Sequence, residues 1–280
     1  MFYLILIFNL VFSFGVQSFY LPQNAFELSN SNTGIGNSEN ININFSSINN
    51  LNDFISLSKI NWYQDVTGDN IEYKWSSRDS HHYISLFSLY ANNIELRDIV
   101  PSDNPLGLFD IQHISFSYGF GHKILNSINM GIQSNFNYNQ LYIDESFGFN
   151  FDIGLSYKVN NKMYLGLSIQ QLGREKFNKE FTNNPILLGI GSTYKIIDYN
   201  TDINIDLIYD EHLMNHQVFK ISSILKIKSL SLITGYYHNE NKKEFSCGFS
   251  FNYRKITFDY GTSFHKTLGN PKILTFKYNL

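Results

Sequence analysis

The residues with the most evident chemical potential are a cluster of acidic and histidine side chains, Asp210, Glu211, His212 and His216. Two histidines four positions apart could bind a metal ion if they lay on one face of a helix. The surrounding pattern predicts a loop between strands instead, and the order of residues differs from the HExxH zinc motif. We therefore interpret both histidines as loop residues that hold no metal.

Three carboxylates, Asp152, Asp206 and Asp259, fall on the polar faces of predicted strands. A carboxylate pair could act in general acid–base catalysis, but a water-filled interior explains these residues without chemistry. The single cysteine, Cys247, excludes an intramolecular disulfide. No Ser/His/Asp arrangement stands out, so the sequence predicts a protein that is not an enzyme and carries no catalytic, cofactor or metal site.

Two glycine pairs, Gly119/Gly121 and Gly189/Gly191, raise the question of a phosphate-binding loop. Such a loop needs a helix that begins directly after it. Both pairs lie within strand patterns, with no helical pattern following. We expect these glycines to relieve crowding on the inner side of a sheet.

The candidate for partner recognition is the long segment from Asn92 to Asp110, which charged residues make polar and prolines stiffen. The residues that could contact a partner protein are Glu95, Arg97, Asp98, Pro101, Asp103 and Pro105. Loops of this length often carry function, although a solvated rim would also account for them.

Strands must position these residues, because from about residue 53 the apolar side chains recur with a period of two. In the run 146–158, aromatic and aliphatic residues alternate with Gly, Asn, Asp, Ser and Lys. Many runs approach the length that a tilted strand needs to cross a bilayer. The predicted strands lie near 53–62, 69–76, 81–91, 111–121, 127–139, 146–158, 161–172, 185–196, 201–210, 216–226, 229–238, 244–253, 255–263 and 271–280.

The connections between these strands alternate in length, short after even-numbered strands and mostly longer after odd-numbered ones. Outer-membrane barrels show this pattern, with short periplasmic turns and longer external loops. A closed barrel also leaves no strand edge unpaired in hydrocarbon. The sequence thus predicts an all-β fold, a transmembrane up-and-down antiparallel β-barrel of about 14 strands over residues 53–280. A soluble sandwich or propeller would share the alternation.

Two segments precede the barrel. The continuous apolar run from Met1 to Gly15 predicts a signal peptide, residues 1–18, and hence export to the outer membrane of a Gram-negative bacterium; a buried strand or anchor helix is the alternative. Residues 19–52 are rich in Asn, Ser and Gly, which is typical of a flexible leader. Their Ile and Phe residues equally allow an ordered plug or periplasmic cap.

The overall composition excludes several classes of protein. Charged residues make up only 16% of the 280 residues and aromatics another 16%, which argues against disorder. The formal net charge of −3 provides no field that would attract nucleic acid.

Several motifs occur in a recognisable order along the chain. They are KINWYQD (59–65), IELRDIVPSDNPLG (94–107), YIDESFGFNFDIGLSYK (142–158), LGLSIQQLG (165–173), NNPILLGIGSTYK (183–195) and FDYG (258–261). In these motifs and their spacing the chain resembles the PorV/PorQ-like outer-membrane barrel family, which is related to FadL-type fourteen-stranded barrels.

This resemblance implies a non-enzymatic role in type IX protein secretion, in which such barrels receive exported cargo or pass it to a surface-attachment machinery. The implied partners are outer-membrane lipid, secreted cargo proteins and secretion-machinery components. The alternative is a FadL-like channel for hydrophobic small molecules, which needs an apolar pocket in the lumen and a lateral gap in the wall. The predicted lumenal residues, mainly Asn, Gln, Ser, Gly and Asp, would line such a pocket poorly. A purely structural barrel is a third possibility.

Overall fold

The computed structural model describes residues 21–37, 39–63, 65–97, 104–177, 180–265 and 269–280. The predicted signal peptide, residues 1–18, lies outside the described residues. Two short helices precede the strands, α1 (Ala25–Ser29) and a 3₁₀ helix (Phe45–Asn50). No helix within these ranges is long and apolar enough to cross a membrane.

The remainder of the described chain consists mainly of antiparallel strands. They are β1 (Phe54–Asn61), β2 (Thr67–Ser77), β3 (Ser80–Leu96), β4 (Gly107–Leu125), β5 (Ile128–Leu141), β6 (Asp144–Lys158), β7 (Met163–Phe177), β8 (Glu180–Asn183), β9 (Leu187–Ile196), β10 (Thr201–Asp210), β11 (Gln217–Ile227), β12 (Leu230–His238), β13 (Lys243–Tyr253), β14 (Ile256–Phe264) and β15 (Lys272–Asn279).

The sheet closes on itself. Apart from β8, each strand pairs with its neighbours in the chain, β1 pairs with β15, and β7 pairs directly with both β6 and β9. The short strand β8 pairs only with the end of β7 and stays outside the ring. The result is a closed antiparallel barrel of fourteen strands, which confirms the predicted fold class.

The observed strands differ from the predicted ones chiefly at β3 and β4. The two strands continue beyond a register shift between Ala91 and Ile94 and pair as far as Leu96 and Gly107. Much of the segment predicted as a loop, 92–110, is therefore strand. The backbone groups pair there despite the irregular side-chain pattern, because a bulge accommodates the extra residues.

Side chains alternate between the two faces of the barrel as predicted. Leu57 and Phe276 are opposite one another and point outward, with 52% and 46% of their surface exposed. Their neighbours Ser58 and Thr275 point inward, where their hydroxyl oxygens lie 2.8 Å apart. The apolar outer surface suits contact with acyl chains, and the polar inner surface suits water or protein.

The two ends of the barrel differ in their connections. At the turn end, two-residue turns join β2 to β3, β11 to β12 and β13 to β14, and their first residues, Arg78, Lys228 and Arg254, have φ near +55°. This backbone geometry matches the twist of tight hairpins. The loop end carries mostly longer connections, including residues 62–66, 97–106 and 211–216, although β5 and β6 are joined there by Tyr142 and Ile143 alone.

The described residues between 21 and 52, named the plug from here on, lie inside the barrel. Its helix α1 is capped by the Asn24 side chain, which accepts a hydrogen bond from the Glu27 N–H. The Ala25 N–H donates to the Thr275 hydroxyl at 2.9 Å, which ties the helix to β15. At the other end, the Asn49 amide donates to the Met130 carbonyl on β5 at 3.0 Å.

Glycines on the inner face of the barrel leave room for the plug to approach the strands closely. A Cβ atom at Gly166 on β7 would lie 1.8 Å from the Ile35 carbonyl oxygen, and one at Gly131 on β5 would lie 2.4 Å from that of Phe45. The predicted glycine pairs belong to the same set, because Cβ atoms there would collide with plug side chains. The structure thus accounts for these glycines as close approaches between plug and wall.

Candidate functional site

A cavity of about 530 Å³ lies between the plug and the loop end of the barrel. Plug residues Leu28, Asn32 and Ile43 form its floor, and Trp62 and His265 lie in the loop-end connections above it. Inward-facing side chains of the strands form its walls. The site is therefore a chamber inside the barrel, and two of its walls differ in chemistry.

One side of the cavity is apolar. Leu187 on β9, Ile208 on β10 and Val218 on β11 are buried and pack with Ile43 of the plug. Ile208 and Val218 are direct partners in the antiparallel register, so their side chains lie side by side. These four residues are named the apolar wall.

A second apolar patch lies across the lumen. Phe87 on β3 is fully buried and belongs to one packed cluster with Leu28 of the plug, against which Leu21 and Trp62 also pack. The sequence analysis predicted a lumen lined mainly by Asn, Gln, Ser, Gly and Asp, and the two apolar patches are exceptions to a lining in which amide and hydroxyl side chains are still common. The run 83–89 carries apolar residues on both faces of the strand, and this signal could have revealed the patch.

The strands β4 to β7 line the cavity with polar side chains. The polar side chains that line the cavity there, named the amide wall, are His113, Ser115, Gln133, Asn135, Asn137, Asn150, Asp152, Gln170 and Gln171. Gln133 Nε2 donates to Asn135 Oδ1 at 3.0 Å, and Asn135 Nδ2 donates to both Asn150 Oδ1 and Asp152 Oδ2 at 2.7 Å. The two bonds from Asn135 link β5 to β6, and the bond from Gln133 lies within β5, so the amides hold one another in fixed positions.

A bulge in β7 brings an additional amide into this wall. Phe151 pairs with Leu172 and Ile153 with Ile169, which leaves Gln170 and Gln171 opposite Asp152. Gln171 has φ of +64°, and its N–H donates to Asp152 Oδ1 at 2.7 Å. Both glutamine side chains then line the cavity, and Gln170 Nε2 also donates to the Asn42 carbonyl of the plug at 2.5 Å. The bulge redirects a side chain that regular alternation would send outward.

The three predicted carboxylates have separate places in the fold. Asp206 on β10 accepts the backbone N–H groups of Gly34 at 2.6 Å and Ile35 at 3.2 Å, and so anchors the plug. Asp152 belongs to the amide wall, and Asp259 is buried on β14 outside the cavity lining. β6, β10 and β14 are not neighbours in the ring, so no two of these carboxylates lie on paired strands. The hydrogen bonds of Asp206 and Asp152 stabilise the structure.

Lysines on β11 and beside β13 complete the cavity. Lys220 is buried, and its Nζ donates to the Asn32 carbonyl of the plug at 3.0 Å while lying 5.8 Å from the centre of the Tyr237 ring. Lys242 forms an ion pair with Glu244 near the loop end. Both ammonium groups therefore already interact with protein groups.

Glu27 of helix α1 lines the same cavity from below. Its carboxylate accepts bonds from the Gln23 N–H at 2.8 Å and the Asn42 amide at 2.7 Å. Burial, followed by the nearby charge of Glu72, raises the pKa of Glu27 to about 7. Glu72 is held on β2 by the Ser56 hydroxyl at 2.5 Å and the Tyr83 hydroxyl at 2.9 Å.

The described members of the set predicted to bind a partner, Glu95, Arg97 and Pro105, lie at the rim of the barrel and not in the cavity lining. Glu95 ends up in β3, where its carboxylate pairs with the exposed Arg97 guanidinium at 2.7 Å. Pro105 precedes β4. The other members of the set, Asp98, Pro101 and Asp103, lie outside the described residues.

The predicted histidine cluster lies in the connection between β10 and β11, as the sequence indicated. His216 Nδ1 is 3.0 Å from the Asp210 carbonyl oxygen, and the His212 N–H donates to Asp210 Oδ1 at 2.9 Å. Over the described ranges, no group of three or more His, Cys, Asp or Glu side chains could hold a metal ion. The residues of the cluster belong to a connection that is held by its own internal hydrogen bonds.

No protein-family model and no curated protein matches this sequence. Solved structures do match over nearly the whole length. The Pseudomonas putida toluene transporter TodX is 10% identical, with a TM-score of 0.70 over 91% of this chain and 97% of the other. The Ralstonia pickettii toluene transporter TbuX is 9% identical, with a TM-score of 0.67 over 92% and 98%. A Pseudomonas aeruginosa FadL homologue is 9% identical, with a TM-score of 0.61 over 92% and 99%.

The fold is that of the FadL-type fourteen-stranded barrels. At these identities the likeness concerns the fold alone. These matches do not show the narrower resemblance to PorV/PorQ proteins. They support the FadL-type fold, to which the sequence analysis also related the chain.

Proposed function

We propose that this protein is an outer-membrane channel of FadL type that admits small, largely apolar molecules. The observation that carries the proposal is the cavity between plug and loop end, with apolar side chains on two of its sides. In this orientation the loop end faces the exterior and the turn end faces the periplasm. The alternative weighed in the sequence analysis thus becomes the favoured function.

The size and chemistry of the cavity support this proposal. Its volume of about 530 Å³ falls within the range of small-molecule sites, which are mostly apolar with a few placed polar groups. A ligand the size of one aromatic side chain that buried about 200 Å² would gain about 5 kcal/mol from the hydrophobic effect. The cost of association offsets much of that gain, so we expect the weak binding that a channel needs in order to release its substrate.

Passage beyond the cavity requires the plug to move. The plug fills the lumen below the cavity and is bonded to the wall on several sides, through Asp206 on β10, Thr275 on β15 and the Asn44 amide, which donates to the Leu155 carbonyl on β6 at 3.0 Å. Each contact is a separate hydrogen bond and can break by itself. We expect a local shift of the plug during transport.

TodX and TbuX are toluene transporters, which fits the prediction that this protein is not an enzyme. The predicted role in type IX secretion, with exported cargo and secretion components as partners, stays a prediction, as does the signal peptide.

The transport proposal is tested by uptake of radiolabelled toluene into cells whose outer membrane contains the full chain. Replacing the inward-facing Ile208 by Trp fills the apolar wall and should lower uptake several-fold. The matched control is Leu207→Trp, one residue earlier on the same strand and facing outward with 53% exposure, which should leave uptake unchanged.

Folding of both variants is checked by the heat-dependent gel migration that closed barrels show. Uptake by the wild type no faster than by cells lacking the protein would overturn the proposed function.

A further inference from the structure

The turn end of the barrel carries an excess of positive charge. Within three residues of its six connections, the described chain has nine lysines and arginines, named the basic ring, and three aspartates. Each connection contributes at least one basic residue: Arg78, Lys123, Lys158, Lys195, Lys228 and Arg254. Lys162, Lys226 and Lys255 are the others, and all nine except the half-buried Lys195 are exposed.

Few acidic groups balance this charge. The three aspartates in the same stretches are Asp79, Asp198 and Asp202. Within the part of the chain that the structure describes, Lys226 alone of the basic ring forms an ion pair, with Asp202 at 2.8 Å. At the loop end, basic side chains such as Arg97 and Lys242 pair with glutamates instead. The unbalanced positive charge therefore belongs to the turn end.

Three members of the basic ring occupy backbone positions that disfavour long side chains. Arg78, Lys228 and Arg254 open two-residue turns, with φ of 54°, 53° and 55°. Gly, Asn and Asp adopt this left-handed backbone at lower energy than Lys or Arg does. The same substitution against local preference at three separate turns indicates that the positive charge itself is required there.

Exposed apolar side chains accompany the basic ones. Ile227 lies between Lys226 and Lys228 in the chain and is 49% exposed, and Ile124 follows Lys123 and is 51% exposed. Basic residues interleaved with exposed apolar residues are typical of surfaces that lie at a membrane interface. The apolar side chains can reach the acyl boundary while the charged groups remain among the headgroups.

Outward-facing tyrosines lie at the same level. Lys255 Nζ is 5.8 Å from the centre of the Tyr278 ring, and the Arg254 guanidinium is 5.4 Å from the centre of the Tyr253 ring. Tyrosine is enriched where a membrane protein passes from hydrocarbon to water. The basic ring thus lies at the height of the lipid headgroups.

We propose that the basic ring binds the anionic headgroups of the phospholipid leaflet on the periplasmic side. Headgroup phosphates accept hydrogen bonds from lysine and arginine, and their negative charge complements the ring. Because all six connections contribute, the complementary surface encircles the barrel, as a lipid leaflet does and a protein docked on one side does not. This inference concerns the outer rim of the barrel and does not depend on what passes through the lumen.

The test measures which lipid the full-length protein prefers in a bilayer. Spin-labelled phosphatidylglycerol, which is anionic, or spin-labelled phosphatidylcholine, which is zwitterionic, is added to phosphatidylcholine vesicles that contain the protein. Electron spin resonance separates lipid held at the protein surface from free lipid. At low ionic strength we expect phosphatidylglycerol to associate about fivefold more strongly, the ratio that one nearby basic residue gives. Sodium chloride at about 0.5 M should reduce this preference, because salt screens the charges.

A triple variant connects the preference to the turn end. Arg78→Asn, Lys228→Asn and Arg254→Asn together remove three charges and supply a residue that these turns favour, so we expect folding to be unimpaired. The preference for phosphatidylglycerol should fall about twofold or more. The matched control, Arg174→Gln with Lys243→Gln and Lys272→Gln, removes three exposed charges at the loop end and should keep the preference.

The possible outcomes either support or overturn the proposal. Equal association of the two lipids with the wild type at low ionic strength overturns it, as does an unchanged preference in the turn-end variant or an equal loss in both triple variants. Polyglutamate is the probe for an acidic macromolecule. If it binds the detergent-solubilised protein through the basic ring while neither lipid is preferred, the partner is an acidic protein and the lipid assignment is wrong.

Discussion

Individual carboxylates in this protein hold the plug in place. Asp206 accepts hydrogen bonds from two backbone N–H groups of the plug, those of Gly34 and Ile35. Hydrogen bonds to a charged acceptor contribute more than neutral ones, about 1.5–3 kcal/mol each. Glu27 acts within the plug, where its carboxylate accepts bonds from the Gln23 N–H and the Asn42 amide, and Glu72 of the barrel wall lies close by.

The raised pKa of Glu27 predicts that the plug is held more tightly in mild acid. The ordinary pKa of 4.5 applies to the freed plug, and the docked value is about 7. As pH rises from about 4.5 to about 7, ionisation of the freed form removes stabilisation on the order of 3 kcal/mol, and the loss levels off above pH 7.

Protease cleavage of the plug should therefore be slower at pH 5 than at pH 8 when corrected for intrinsic protease activity. Glu27→Gln, which mimics the protonated acid, should reduce this dependence. A wild-type plug with the same protection at both pH values would contradict the prediction.

At the scale of elements, glycines on the inner faces of strands decide how closely the plug can approach. Gly166 on β7 and Gly131 on β5 meet backbone atoms of the plug and not flexible side-chain ends. Their replacement cannot be absorbed by a rotamer change, so either the plug or the strand must shift.

Gly166→Ala should displace the plug and lower the free energy of its docking by about 2–3 kcal/mol. The expected result is faster cleavage of the plug by protease, with the fourteen-stranded ring intact. Gly107→Ala serves as the control, because a Cβ atom there has no neighbour within 4 Å. Equal cleavage rates in the two variants would show that the plug does not rely on this approach.

At the scale of the whole molecule, the closed ladder satisfies the strand backbones without help from the plug. Every strand of the ring has two neighbours, including β1, which pairs with β2 and β15. The plug adds apolar contacts, such as Phe45 against Tyr83 with ring centres 5.8 Å apart. The ring and the plug therefore contribute separately to the stability of the protein.

Deletion of residues 19–52 should leave a folded barrel that conducts ions in a planar bilayer, whereas the full chain should conduct far less. The physical reason is that the plug occupies the lumen below the cavity and the strands close without it. Folding is checked by heat-dependent gel migration before conductance is measured. A deletion variant that folds and yet stays closed would show that other residues block the lumen.

The sequence alone determined most of the wall. Alternation of period two is a local property of each strand, so it places Leu57 outside and Ser58 inside without knowledge of any partner. Connection lengths are local as well, and they predicted the two ends of the barrel. The same logic failed where local order breaks, at the bulge that turns Gln171 inward and at the continued pairing of Glu95.

Only the tertiary structure decided the site. The amide wall combines residues from β4 to β7, and the apolar wall combines β9 to β11 with Ile43 of the plug. These residues meet because the sheet closes into a ring and the plug folds back into it, and contacts between residues so distant in the chain leave no trace in its periodicity. A pattern of period two determines which face of the sheet a side chain occupies. Closure of the barrel determines which residues that side chain contacts.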